Sequence, residues 1–163
     1  MIRVGLLTCS DKGALGQRPD TSANAVKALL PGDLYQIQHY AVVPDEPEAI
    51  TARLVDWCDR EGLDLILTTG GTGLTPRDVT PESTLAVLER EIPGIAEAMR
   101  AASLFKTPHA MLSRGVAGIR GQTLIINLPG SPKAVRENLE VVLPALPHAL
   151  EKIKGSPKDC GSP

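Results

Sequence analysis

Aromatic residues are nearly missing from this 163-residue chain, which has one tryptophan, one phenylalanine and two tyrosines. The core must therefore be aliphatic, with Trp57 expected as one large packing residue on a helix. Cysteine is scarce and odd in number: Cys9, Cys58 and Cys160 show no C-x-x-C spacing, which argues against a disulfide framework and a zinc site. Cys9 and Cys58 lie in apolar patterns and read as buried thiols. An excess of basic charge is also lacking. The formal net charge is −2 and the basic residues are scattered, so the chain has no basic face for nucleic acid. No apolar run approaches membrane-spanning length, and Met1 leads straight into a short strand-like run instead of an apolar segment behind a basic start. The expectation is a cytoplasmic protein with small-molecule ligands and with neither a nucleic acid nor a membrane as partner.

Catalytic signatures are missing as well. No serine or cysteine stands in a nucleophile elbow, and His39, His109 and His148 are dispersed without metal-ligand spacing. No Gly-Lys-Ser or Gly-Lys-Thr follows a glycine-rich loop, and there is no G-x-G-x-x-G. These absences exclude the commonest nucleotide-binding families by motif.

What is present alternates strand and helix signals, the pattern of a mostly parallel sheet with helices on both faces. Residues 2–8 read as a buried first strand. Asp20 or Thr21 caps a helix to about residue 30, and 35–43 alternates as a second strand. Asp45-Glu46-Pro47-Glu48 has the form of a capping box in which Asp45 accepts the early N–H groups of the next helix. Residues 63–69 form a third, central strand. Helices are expected to start at Thr80-Pro81, at Pro93 and at Ser131-Pro132, with a short hairpin of 117–119 and 123–128. The expected fold is a three-layer α/β/α single domain over residues 1–155, followed by a flexible polar tail, 156–163. At this length such a domain buries roughly two-thirds of its unfolded surface without staples.

The chemistry concentrates where strands end. Residues 65–69 break into Gly70-Gly71-Thr72-Gly73, and Asp78 follows soon after. Glycines let the backbone approach a ligand closely, so successive N–H groups converge on phosphate oxygens. A carboxylate beside such a loop repels phosphate, and its natural use there is to hold a divalent cation. The bland alternative is an ordinary strand-to-helix turn. Asp11 ends the first strand and is followed by Lys12 and a loop, and Asn127 to Lys133 ends the last strand. If these strands are neighbours, Asp11 and Asp78 face one another across a cleft at the carboxyl edge of the sheet. Ser131 reads both as an N-cap and as a helix terminus presenting free N–H groups to that cleft, with Lys133 adding charge.

Taken together, Ser10-Asp11-Lys12, TTGGTG (68–73), PRDVTP (76–81), MLSR (111–114) and LIINLPGSP (124–132) resemble the MogA/MoaB family of molybdenum cofactor biosynthesis, including the G domain of gephyrin-type proteins. The resemblance implies a molybdopterin-binding α/β fold assembled as a homotrimer. In the MogA branch it implies Mg²⁺-dependent adenylylation of molybdopterin by ATP, with possible hand-over to a MoeA-like molybdate-inserting protein. A non-catalytic molybdopterin-binding or scaffolding trimer of the MoaB type is the other reading; retention of both aspartates favours the enzyme. Carried onto this chain, the family roles make Asp11 and Asp78 the essential carboxylates, holding or orienting Mg²⁺. Ser10, Thr69, Gly70, Gly71, Thr72, Gly73 and Arg77 would line the phosphate-binding loops, and Ser113, Arg114, Gly130, Ser131 and Lys133 the substrate cleft.

Overall fold

The computed structural model describes residues 1–157. Strands β1 (Ile2–Cys9), β2 (Tyr35–Val43), β3 (Leu65–Thr69), β4 (Arg90–Glu91), β5 (Ala117–Arg120) and β6 (Thr123–Leu128) form one sheet in the order β2-β1-β3-β6-β5-β4. The pairs β1/β2, β1/β3 and β3/β6 are parallel; β5 runs antiparallel to β6, and β4 to β5. The helices are α1 (Asp11–Ala14), α2 (Thr21–Leu29), α3 (Pro47–Val55), α4 (Thr80–Leu85), α5 (Pro93–Leu104), α6 (Pro132–Val142) and α7 (Leu146–Ile153).

Period-two alternation divides the central strands between two cores. Val4, Leu6, Leu65, Leu67, Leu124 and Ile126 pack with side chains of α2, α5, α6 and α7. Leu7, Cys9, Ile66 and Ile125 point the other way, onto Ile50 and Leu54 of α3 and onto Trp57. Both faces are covered, which is why the central strands are continuously apolar. Trp57 is the expected large packing residue, held on a π-helical turn (Asp56–Arg60) that continues α3. A Cβ on Gly5 would come within 2.6 Å of its ring.

The hairpin, the second strand and the starts of the later helices form where the pattern put them. The third strand is shorter than 63–69, beginning at Leu65. Two local readings are corrected. Asp11 is followed by a helical turn, not a loop: Ser10 caps α1 by accepting the Gly13 N–H at 3.0 Å. Asp45 does not cap α3, whose N-cap is Glu46 without a side-chain bond, because the Asp45 carboxylate is engaged elsewhere. The strand β4 gave no periodic signal, being only two residues long. Of the tail assigned to 156–163, residues 158–163, with Cys160, lie outside the described residues.

The sheet and the last helix are tied together by one buried carboxylate. Asp64 accepts the Arg3 N–H at 2.7 Å and the Lys154 ammonium at 2.8 Å, with the Arg3 guanidinium at 3.4 Å. Burial alone would raise its pKa, but the Lys154 and Arg3 hydrogen bonds outweigh it and hold the carboxyl below the ordinary aspartate value. A depressed folded-state pKa stabilises above the unfolded value and is lost as pH falls through the folded one. Asp64→Asn is therefore expected to lose about 1–3 kcal/mol near neutral pH. Urea unfolding should show that deficit shrinking as the pH is lowered below the ordinary aspartate range and the wild-type carboxylate is protonated.

Candidate active site at the carboxyl edge of the sheet

The ends of β1, β3 and β6 lie side by side, as the site reading required. They open into a cleft of about 270 Å³. Its floor is Thr8 and Thr69, register partners on adjacent strands whose hydroxyls share a buried 3.0 Å hydrogen bond. Gly70 and Gly71, which follow β3, have φ of +87° and +65°. A Cβ on Gly70 would collide with the Cys9 carbonyl oxygen; one on Gly71 would collide with the Thr80 hydroxyl and stand 3.3 Å from Asp45 Oδ1. Glycine is thus required both by left-handed backbone and by close contact. From β6 come Gly130 and Ser131. A Cβ on Gly130 would face the Gly70 Cα at 3.5 Å, and the Gly130 carbonyl accepts the Ser22 hydroxyl of α2. Ser131 caps α6 by accepting the Ala134 N–H at 3.2 Å, as the N-cap reading expected, and it also lines the cleft.

Four carboxylates gather at or beside the cleft: Asp20, Asp45 and Asp78 line it, and Asp11 stands next to Asp45. Asp78 closes a turn in which its Oδ2 accepts the Thr75 N–H at 2.9 Å and the Thr75 hydroxyl at 2.8 Å. Asp45, just beyond β2, takes the Asp11 N–H on Oδ2 at 2.9 Å, and its Oδ1 is buried without a partner. The Thr80 hydroxyl nearby is likewise buried and unpartnered. Burial raises the Asp45 pKa, helped by the charges of Asp11 and Asp78 and opposed by the Asp11 N–H and Arg77. Asp11 itself does not line the cleft. It is paired with Arg77 at 2.9 and 3.0 Å, and this pairing with the Asp45 N–H depresses its pKa. Cys9 lines the cleft, but burial pushes its thiol up to about 12, so it is chemically inert near neutrality.

Other expected site residues lie around the cleft, not in it. Arg114 holds the glycine loop from behind: its guanidinium donates to the carbonyls of Gly73 at 2.7 Å and Asp78 at 2.6 Å, and its backbone N–H donates to the Thr72 carbonyl at 3.0 Å. Gly73 packs beside Asp78, where a Cβ would stand 2.9 Å from Oδ2. Ser113 borders a separate cavity of about 200 Å³ with Arg100 and Asn138. Lys133 is 85% exposed, with Glu137 as its neighbour at 4.0 Å. Among the described residues no group of three His, Cys, Asp or Glu side chains is arranged to hold a metal by itself.

The sequence reading missed Asp45 as a site residue and also Arg18, an exposed cation that lines the cleft from the α1–α2 connection. The signal for Asp45 was topological. Strand β2 lies next to β1, so a residue just past its end reaches the same edge as Asp11.

An acidic cleft lined by glycine-loop backbone suits phosphate groups accompanied by a cation. The family described as "probable molybdopterin binding domain" matches residues 5–148. The chain belongs to this molybdopterin-binding family. It is 45% identical to the molybdopterin adenylyltransferase of Helicobacter pylori strain J99, over 95% of this chain and 89% of that protein. It is 44% identical to the Escherichia coli K12 protein of the same name, over 86% and 73%. Gephyrin of Dictyostelium discoideum is 52% identical over 95% of the chain, which spans only 23% of its length. Among solved structures, the molybdopterin biosynthesis enzyme MoaB of Thermus thermophilus superposes with a TM-score of 0.91 at 60% identity, covering 98% of this chain and all of that one. A MogA structure reaches 0.88 at 42% identity, over 93% and 99%. In this member of the family, Gly71→Ala is expected to lower stability by about 1–3 kcal/mol, because it strains φ and displaces Thr80. The urea midpoint reads that loss directly.

Proposed function

We propose that this chain is a molybdopterin adenylyltransferase. The observation that carries the reading is the buried, unpartnered Asp45 Oδ1 beside Gly71, with Asp78 lining the same cleft. A buried carboxylate oxygen with no donor is costly unless a cation is delivered to it. Mg²⁺ accompanying ATP fits that donor set: Asp45 and Asp78 would hold it, and it would supply charge neutralisation between phosphate groups. The names of the Helicobacter and Escherichia relatives support the same activity.

In this reading the terminal phosphate of molybdopterin attacks the α-phosphorus of ATP; a P–O bond forms to the adenylyl group as the bond to pyrophosphate breaks. A phosphate monoester is already largely ionised near neutral pH, so the cleft need not provide a general base. Its task is to align two anions and offset their repulsion. The N–H groups of Gly70 and Gly71 and the N-terminus of α6 behind Ser131 receive phosphate oxygens, Arg18 adds a positive charge at the mouth, and Arg114 keeps the loop carrying Asp78 in place.

Assembly as a homotrimer belongs to the same proposal. Leu104, Phe105, Met111 and Leu112, exposed at the end of α5 and on the following turn, offer an apolar surface for a neighbouring subunit to cover. Adenylyl-molybdopterin would pass in the cytoplasm to a MoeA-like molybdate-inserting protein. Sedimentation at micromolar concentration is expected to give three times the chain mass, and a monomer would remove this part.

The decisive experiment incubates the protein with molybdopterin, ATP and Mg²⁺ and follows adenylyl-molybdopterin and pyrophosphate. Asp78→Asn and Asp45→Asn are each expected to lower kcat by roughly a hundredfold or more, as the loss of a transition-state electrostatic contact does. Molybdopterin binding without product would instead favour the non-catalytic, MoaB-type reading.

A further inference from the structure

Asp11 and Asp45 meet in an arrangement that separates their roles. Parallel pairing of β1 with β2 ends at Cys9 and Val43, and the Ser10 N–H still reaches the Val43 carbonyl at 2.9 Å. One residue further, side chains replace the missing backbone partners. The Asp11 N–H donates to Asp45 Oδ2 at 2.9 Å, and the Asp45 N–H donates to Asp11 Oδ1 at 3.0 Å. The remaining capacity of Asp11 is taken by Arg77, whose Nε donates to Oδ2 at 3.0 Å and whose Nη2 donates to Oδ1 at 2.9 Å. Nη2 also reaches Glu46 at 2.8 Å, the residue next to Asp45. Each oxygen of Asp11 is therefore committed to protein donors. The opposite holds for Asp45, where one oxygen is fixed and the other is buried and unpartnered.

We infer that Asp11 and Arg77 are positioning residues, a clamp that fixes Asp45 with Oδ1 towards the glycine loop, and that Asp11 is not a metal ligand. Direct ligation by Asp11 would have to displace the Arg77 fork or the Asp45 N–H. The ion pair is well exposed and so adds little to stability, whereas a bidentate guanidinium gives it a defined geometry. Arg77 also offsets the repulsion of placing two carboxylates on adjacent loops. This inference rests on the adenylyl-transfer reading of the cleft.

The test titrates the whole protein with MnATP, a probe for both nucleotide and cation, and measures kcat with molybdopterin for the wild type, Asp11→Asn and Asp45→Asn. Asparagine at residue 11 keeps an acceptor for the Asp45 N–H but loses the ionic lock. Asp11→Asn is expected to bind MnATP within about threefold of wild type while kcat falls about tenfold, and Asp45→Asn to bind at least about tenfold more weakly. An affinity loss in Asp11→Asn as large as in Asp45→Asn overturns the inference, as does an unchanged kcat in Asp11→Asn. A wild-type protein that binds no MnATP removes the adenylyl-transfer reading, and the clamp falls with it.

Discussion

A side chain at Gly70 would run into the carbonyl oxygen of Cys9, and Gly130 stands against the Gly70 backbone from the other side. The loops that end β1, β3 and β6 therefore come close together at the carboxyl edge of the sheet, with no room for a side chain between Gly70 and Cys9. That closeness depends on the parallel register Thr8 to Thr69 and Thr69 to Leu128, which brings the three strand ends level. The register in turn depends on the two aliphatic cores: a slip of one residue would exchange Leu65 and Leu67 with Ile66 and Thr68 between faces. The functional edge is thus specified by burial well away from it. Asn127 reinforces this, because its buried amide donates to Thr68 at 3.0 Å and to Thr84 of α4 at 2.9 Å, binding sheet to helix just beneath the glycine loop.

An anion-handling cleft lined by Asp20, Asp45 and Asp78, with Arg18 as the cation among its described lining residues, looks at first like a contradiction. The bonding of each carboxylate resolves it. Asp20 is spent within the protein, since Oδ1 caps α2 through the Ala23 N–H at 2.9 Å and Oδ2 accepts the Tyr40 hydroxyl at 2.7 Å. Asp78 is half spent in its turn. Asp45 alone of the three retains a buried oxygen without a donor, and the charges of Asp11 and Asp78 add to the cost of keeping it ionised. Such a group attracts a cation more strongly than it repels an anion that arrives with one.

Much of this was legible in the sequence because local chemistry and global fold agree there. The apolar runs, the glycine loop and the Ser131-Pro132 start each signal their own structure, and ligand sites at the ends of parallel strands follow from the architecture. What was not legible depended on partners distant in sequence. The family resemblance puts Arg114 in the substrate cleft, yet its guanidinium braces Gly73 and Asp78, 41 and 36 residues away. Ser113, its neighbour, turns to a different cavity. The alternation of side-chain direction along an extended segment separates such adjacent residues, and motif matching treats them as one unit.

Asp45 shows why a correct local rule can mislead. An aspartate followed by Glu-Pro-Glu before an amphipathic run satisfies every requirement of a helix start, and α3 does begin there with Pro47 in its first turn. The rule fails because another donor competes for the carboxylate. The Asp11 N–H, left without a strand partner where β1 passes into α1, takes Asp45 Oδ2, and the cap position passes to Glu46 without a side-chain bond. A cap worth about 1 kcal/mol is surrendered at this position. Local optimisation is abandoned here in favour of an oriented, partly unsatisfied carboxylate, which is the pattern expected where a site rather than the fold sets the sequence.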